Sequence, residues 1–126
     1  MTYSKRFLLF INIILLVSFS YSYNFELNEV MSIGSDEPDY TFFSICAVDA
    51  DEAGNIYIVD SKGCFIRKYS KKGKFIKETG RCGQGPGDLQ SSAGIRIKYQ
   101  NNKLYIHDSS NHRIVIYDKN LNRLKI

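Results

Sequence analysis

Gly54-Asn55-Ile56-Tyr57-Ile58-Val59-Asp60-Ser61-Lys62-Gly63-Cys64-Phe65-Ile66-Arg67-Lys68-Tyr69-Ser70-Lys71-Lys72-Gly73-Lys74-Phe75-Ile76 is the stretch that decides the fold. It reads as three short strands joined by two tight turns, because β-branched and aromatic residues fill Ile56–Asp60, Phe65–Tyr69 and the start at Phe75, while Ser, Lys and Gly fill the joints. The pattern then recurs. Tyr57 matches Tyr105, Asp60 matches Asp108, Ser61 matches Ser109, Ile66 matches Ile114 and Tyr69 matches Tyr117, each pair 48 residues apart. An offset held without a gap across two turns marks an internal repeat.

Working outward, Phe42 to Asp49 reads as the strand before this stretch, turned into it by Asp51-Glu52-Ala53-Gly54-Asn55. One four-stranded meander thus ends near Thr79. A glycine-rich connector, Arg81-Cys82-Gly83-Gln84-Gly85-Pro86-Gly87-Asp88-Leu89, leads to a second meander: Ile95 to Tyr99, the turn Asn101-Asn102, Lys103 to Asp108, Arg113 to Tyr117, the turn Lys119-Asn120, and a final strand ending at Ile126. Upstream, Tyr23 to Ile33 suggests a further strand, followed by a polar loop at Ser35–Asp39. No segment beyond the N-terminus carries a 3.6-residue apolar period over ten residues, so the expected fold class is all-β.

The first 22 residues are read as a signal peptide. Lys5 and Arg6 form a positive start, Phe7 to Val17 is apolar apart from Asn12, and Ser20-Tyr21-Ser22 places small residues where a signal peptidase reads. An uncleaved anchor is the competing reading, but Phe7 to Phe19 falls short of the ~20 residues a span needs. Export to the periplasm, the cell surface or the medium is therefore expected. Without residues 1–22 the chain keeps 15 basic and 13 acidic groups, a net charge of only +2, which gives no warrant for nucleic-acid binding. Lys71, Lys72, Lys74 and Lys77 surround a turn and read as a solvated loop.

Four-stranded antiparallel units at this period are the signature of propeller blades. The chain resembles the NHL repeat family of six-bladed β-propellers, through Val48-Asp49, Gly54-Asn55-Ile56-Tyr57-Ile58-Val59-Asp60-Ser61, Ile66-Arg67-Lys68-Tyr69, Gly73-Lys74-Phe75 and Gly83-Gln84-Gly85-Pro86-Gly87. The second unit adds Leu104-Tyr105-Ile106-His107-Asp108-Ser109, Asn111-His112-Arg113-Ile114 and Tyr117-Asp118. The resemblance covers Phe42 to Ile126 as two blades, about 42–80 and 93–126, and so implies an incomplete propeller, an N-terminal piece of about two blades. It also implies that the strand before Phe42 completes a last blade.

Each candidate site is weighed against a structural role. Asp49, Asp51 and Asp60 approach the spacing of a calcium loop, but Ala53 supplies no side-chain oxygen and Asp60 is shorter than the Glu such a loop needs, so a hairpin turn is preferred. Asp60 and Asp108 repeat, and are expected to accept backbone N–H groups in equivalent turns. Asn111 is expected to supply positive φ at its turn and His112 a hydrogen bond within or between blades. Gly83 to Gly87 lacks the Lys-Ser/Thr of a phosphate loop and reads as a connector.

Cys46, Cys64 and Cys82 do not match a zinc pattern. Cys46 reads as a small core residue, and no disulfide is predicted, since Cys64 and Cys82 could pair only if the fold brings their Cα atoms within ~7 Å. No catalytic residue, cofactor or metal ligand is assigned. The leading expectation is an exported module that binds a protein, peptide or glycan on the face formed by the blade-connecting loops. The alternatives are a propeller enzyme, such as a metal-dependent lyase or lactonase, whose catalytic blades lie elsewhere, and a non-functional fragment.

Overall fold

The structure is a computed structural model that describes residues 24–34, 41–90 and 94–126. The signal-peptide reading of residues 1–22 falls outside these. Eight strands follow in chain order: β1 (Ile45–Ala50), β2 (Ile56–Asp60), β3 (Phe65–Tyr69), β4 (Phe75–Thr79), β5 (Ile95–Gln100), β6 (Lys103–Asp108), β7 (Arg113–Asp118) and β8 (Arg123–Lys125). They form two four-stranded antiparallel sheets, ordered β1-β2-β3-β4 and β5-β6-β7-β8. Two expectations are corrected. The first strand begins at Ile45 rather than Phe42, and the described residues 24–34 belong to no strand. In that segment Phe25, Leu27 and Val30 are exposed, so its apolar residues lack the partner strand that would have made a ladder of them.

The turns explain the meanders. Asn101 and Asn102 both take positive φ, at 52° and 59°, the two-residue hairpin geometry whose twist suits the flanking strands. The β3–β4 and β7–β8 turns are copies of each other. Ser70 N–H donates to the Lys74 carbonyl and Gly73 N–H to that of Ser70; 48 residues later Asp118 and Leu121 do the same with Asn122 and Asp118. Gly73 occupies its left-handed position at φ 80°, where an L side chain is unfavourable; its counterpart is Leu121 at φ 59°.

Leu121 tolerates that conformation because its side chain is 2% exposed, inserted among residues of both sheets. These sheets stack face to face. Tyr57, Val59 and Ile66 of the first share one apolar cluster with Ile95, Tyr99, Leu104, Ile106, Val115 and Tyr117 of the second. The rings of Tyr57 and Tyr99 stack at 5.7 Å between centroids. Strand pleating puts Tyr105, His107, Ile114 and Ile116 on the opposite face of the second sheet, where Ile114 is half exposed.

The two sheets therefore meet by unlike faces. Tyr57, Val59 and Ile66, buried at the junction, correspond in the second sheet to Tyr105, His107 and Ile114, which point away from it. The far face of the first sheet is closed differently. Arg67 lies between the rings of Phe65 and Phe42, at 3.9 and 5.1 Å from their centroids, and its Nε donates to Glu78 Oε2 at 2.6 Å. Arg67 also donates to the Thr41 carbonyl. A stacked guanidinium with carboxylate and carbonyl partners can be buried at modest cost.

Replacing Leu121 by Gly relieves a backbone conformation that costs about 1–2 kcal/mol but removes a buried leucine whose loss costs about 2–5 kcal/mol. Packing wins. Leu121→Gly is expected to lower unfolding free energy by about 1–3 kcal/mol in urea denaturation, whereas relief of backbone strain alone would raise it.

Candidate functional site

The connector, β2–β3 and β6–β7 loops gather at one end of both sheets, and their chemistry begins with two carboxylates. Asp60 and Asp108, both fully buried, end β2 and β6. Asp60 Oδ1 accepts the Gly63 N–H at 2.7 Å, and Oδ2 accepts the N–H groups of Phe43 and Ser44 at 2.5 and 2.9 Å. Asp108 Oδ1 accepts the Asn111 N–H at 3.2 Å and Oδ2 that of Gln90 at 3.1 Å. Each carboxylate thus ties its own turn to the chain entering its sheet. Burial works to raise the pKa of Asp60, but the backbone donors of Gly63, Ser44, Phe43 and Lys62 outweigh it and hold the carboxyl below the usual range.

The same turns correct the reading of Asn111 and His112. Positive φ falls on His112 at 52°, and on its counterpart Cys64 at 55°, rather than on Asn111. The His112 ring is exposed, and its backbone N–H donates to the Ser109 carbonyl. Asn111 does the bonding instead, donating from Nδ2 to Asp108 Oδ2 at 2.7 Å and to the Gly83 carbonyl at 3.3 Å.

Between the sheets, the connector folds on itself and onto both neighbours. Leu89 N–H donates to the Arg81 carbonyl at 2.8 Å, Gly83 N–H to the Leu89 carbonyl at 3.1 Å, and Arg81 pairs with Asp88 at 2.5 Å. That ion pair is the leading reason the Asp88 carboxyl stays ionised below its ordinary range. Arg113 reaches across from the second sheet to the carbonyls of Gln84 and Asp88, and Arg123 to that of Pro86. Arg113, Arg123 and Asp88 escaped the sequence reading, because only the fold shows that these cations face connector carbonyls.

Toward the first sheet, the connector is attached covalently. Cys64 and Cys82 form a disulfide, with Cα atoms 4.9 Å apart, although none was predicted. The β2–β3 turn and the residues just after β4 become neighbours once β3 and β4 pair, a proximity that spacing of 18 does not disclose. Closing a loop of that size is worth about 3 kcal/mol. Gly80 crosses the turn so closely that a Cβ there would lie 2.7 Å from the Cys64 carbonyl oxygen. Cys46 remains free and half-buried against the core, and burial raises its thiol pKa.

At the opposite end of the sheets a groove of about 350 Å³ is lined by Asp51, Glu52, Asn55, Lys68, Tyr99 and Lys119, among others. Of its two carboxylates, Asp51 is committed to structure. Asp51 accepts the N–H groups of Ala53 and Asn55 and the Asn55 side chain, which closes the β1–β2 turn as a hairpin. The Tyr57 hydroxyl lies 3.1 Å from Asp51 Oδ2 and 2.9 Å from the Lys119 carbonyl, and Lys68 Nζ donates to that carbonyl at 2.7 Å. Burial, with Asp51 next, pushes the Tyr57 hydroxyl pKa well up, so it stays a proton donor. Asp49 Oδ2 accepts the Tyr99 N–H at 2.7 Å, stitching β1 to β5. Among the described residues no group of three or more His, Cys, Asp or Glu could hold a metal ion.

Twin antiparallel meanders, repeated along the chain and stacked face to face, define the blades of a β-propeller, here an incomplete one. The chain belongs to the family described as 6-bladed beta-propeller, which matches residues 42–123. Among solved structures it is similar to that of apo AztD from Citrobacter koseri, with a TM-score of 0.55 and 18% identity over 74% of this chain. That likeness shows the fold, and the chain spans 27% of the length of that protein. No curated protein matches.

The Asp60 carboxyl is depressed in the folded state, so its contribution is fully present above the unfolded pKa of about 3.9 and is lost as pH falls through the lower folded value. Asp60→Asn keeps one acceptor and leaves buried N–H groups unpaired, at a cost of about 1–3 kcal/mol. Denaturation at pH 7 should show that loss, and acid titration from pH 5 downward should show a shallower fall in stability than in the parent chain.

Proposed function

We propose that these blades are part of an exported six-bladed propeller of NHL type that binds a protein, peptide or glycan at the connector end and does not turn it over. The observation that carries this reading is the way the connector is held. It is fastened to both blades by backbone-directed contacts, so Lys62, Gln84, Pro86 and His112 are displayed outward on a fixed frame. Loops on a rigid scaffold are where binding residues concentrate. NHL type is supported by the Asn111-His112 pair and the Gly-Asn-Ile-Tyr and Asp-Ser spacing.

Export to the periplasm, cell surface or medium is supported by the positive and apolar start of the sequence and by the disulfide, which persists in oxidising compartments. Membership of a longer ring is supported by the apolar Ile114, left about half exposed on the outer face of the second blade. Within a propeller such a face packs on a neighbouring blade.

Two measurements test the reading. Cell fractionation with mass spectrometry should find the chain outside the cytoplasm with a mature N-terminus at Tyr23, and retention inside with Met1 would contradict export. In peptide and glycan array binding, the pair Lys62→Ala and Gln84→Ala should weaken any hit about tenfold or more, a loss of about 1.4 kcal/mol, while Lys119→Ala at the opposite end leaves it unchanged. Conversion of the bound molecule, or sensitivity only to Lys119→Ala, would overturn the assignment.

A further inference from the structure

We propose that the Cys64–Cys82 disulfide is a redox latch on the connector: oxidised, it pins Arg81–Leu89 to the first blade; reduced, it frees that segment while both sheets stay folded. The inference is independent of any ligand. Its basis is an asymmetry in how the connector is held.

On the second-blade side the attachments are several and dispersed. Asn111 donates to Gly83, Arg113 to Gln84 and Asp88, and Arg123 to Pro86. Toward the first blade, beyond the main chain that continues from β4, the disulfide is the covalent cross-link, supplemented by the close approach of Gly80 to the Cys64 carbonyl and by the buried side chain of Leu89. The bond also sits outside the main ladders, since Cys82 pairs with Leu89 by an isolated bridge and Cys64 lies in a turn. Breaking it removes no strand pairing from either sheet.

Access is one-sided. Cys64 is fully buried, whereas Cys82 is exposed. A dithiol reductant therefore attacks through its thiolate at the Cys82 sulfur. The S–S bond breaks, Cys64 leaves as a thiolate that takes up a proton, and a mixed disulfide forms on Cys82. The second thiol of the reductant then displaces Cys82, which is protonated in turn, so two electrons and two protons pass from the dithiol to the protein and the reductant ends as its cyclic disulfide. The freed turn keeps its shape, because Asp60 still accepts the Gly63 N–H. The connector loses its first-blade tether, and Arg81, already mostly exposed, moves with it.

The experiment is hydrogen exchange read by mass spectrometry on the full chain carrying Cys46→Ser, which removes thiol exchange with the third cysteine. Oxidised protein, dithiol-treated protein and reoxidised protein are compared. Amides of Gly83, Asp88 and Leu89 should exchange about tenfold faster or more after reduction and recover on reoxidation, with β6 and β7 unchanged. Unchanged exchange in 81–89 would mean that the second-blade contacts suffice and would overturn the latch. Loss of protection throughout both sheets would make the disulfide a global staple and overturn it equally. Trypsin cleavage after Arg81, faster in Cys82→Ala than in the oxidised chain, gives a second readout that needs no reductant; equal cleavage would also count against the proposal.

Discussion

A buried backbone N–H must find an acceptor, and in this chain two buried carboxylates meet that demand at the equivalent turn of each blade. Asp60 and Asp108 sit where a strand ends, a turn begins and an incoming segment crosses. Removing either would strand donors of two separate segments at once, the turn and the incoming chain. Such a group is hard to replace, since neither a neutral amide nor an alcohol offers as many lone pairs. The apolar stacking of the blades rests on this, because the entering strand is aimed by the same carboxylate. Repetition of the device in both units is what repetition of a mechanical need looks like.

Stacking by unlike faces gives the blades a direction along the chain. The surface that Tyr57 and Val59 present to the second blade is reproduced by Tyr105 and His107 on that blade's far side. A heterologous contact of this kind propagates around a ring when the rotation closes. The first blade departs from the scheme on its other face, where Phe42 and Phe65 enclose Arg67. An arginine in a sandwich of rings is a local solution, specific to one blade, and Ile114 to Ile116 on the second blade contain nothing similar.

Much of the fold was legible because it depends on local rules. Alternating apolar residues, paired Asn at a hairpin and a fixed offset each act within a few residues, so strands β1 to β8 fall where the pattern places them, apart from the late start at Ile45. The turn role of Asp60 and Asp108 was legible for the same reason. What was missed depends on distance through space. Cys64 and Cys82 become neighbours only after β3 and β4 zip together, and Arg113 finds carbonyls of Gln84 and Asp88 some 25 to 29 residues away. The segment before Phe42 carried an apolar content that suggested a strand, yet a strand exists only where a partner edge is offered. His112 rather than Asn111 took the left-handed position, since the Asn side chain was needed for Asp108 and Gly83.

Asp49 shows how far two similar blades can drift into separate jobs. Its carboxylate holds the Tyr99 N–H across the junction, while the residue in its place on the second blade is Lys98, which can donate but not accept. The units are therefore alike in fold without being interchangeable parts. A chain with its two blades in reverse order would keep every hairpin and lose this stitch, setting an ammonium against a backbone donor. The repeated meander supplies the scaffold, and the junction carries an address of its own.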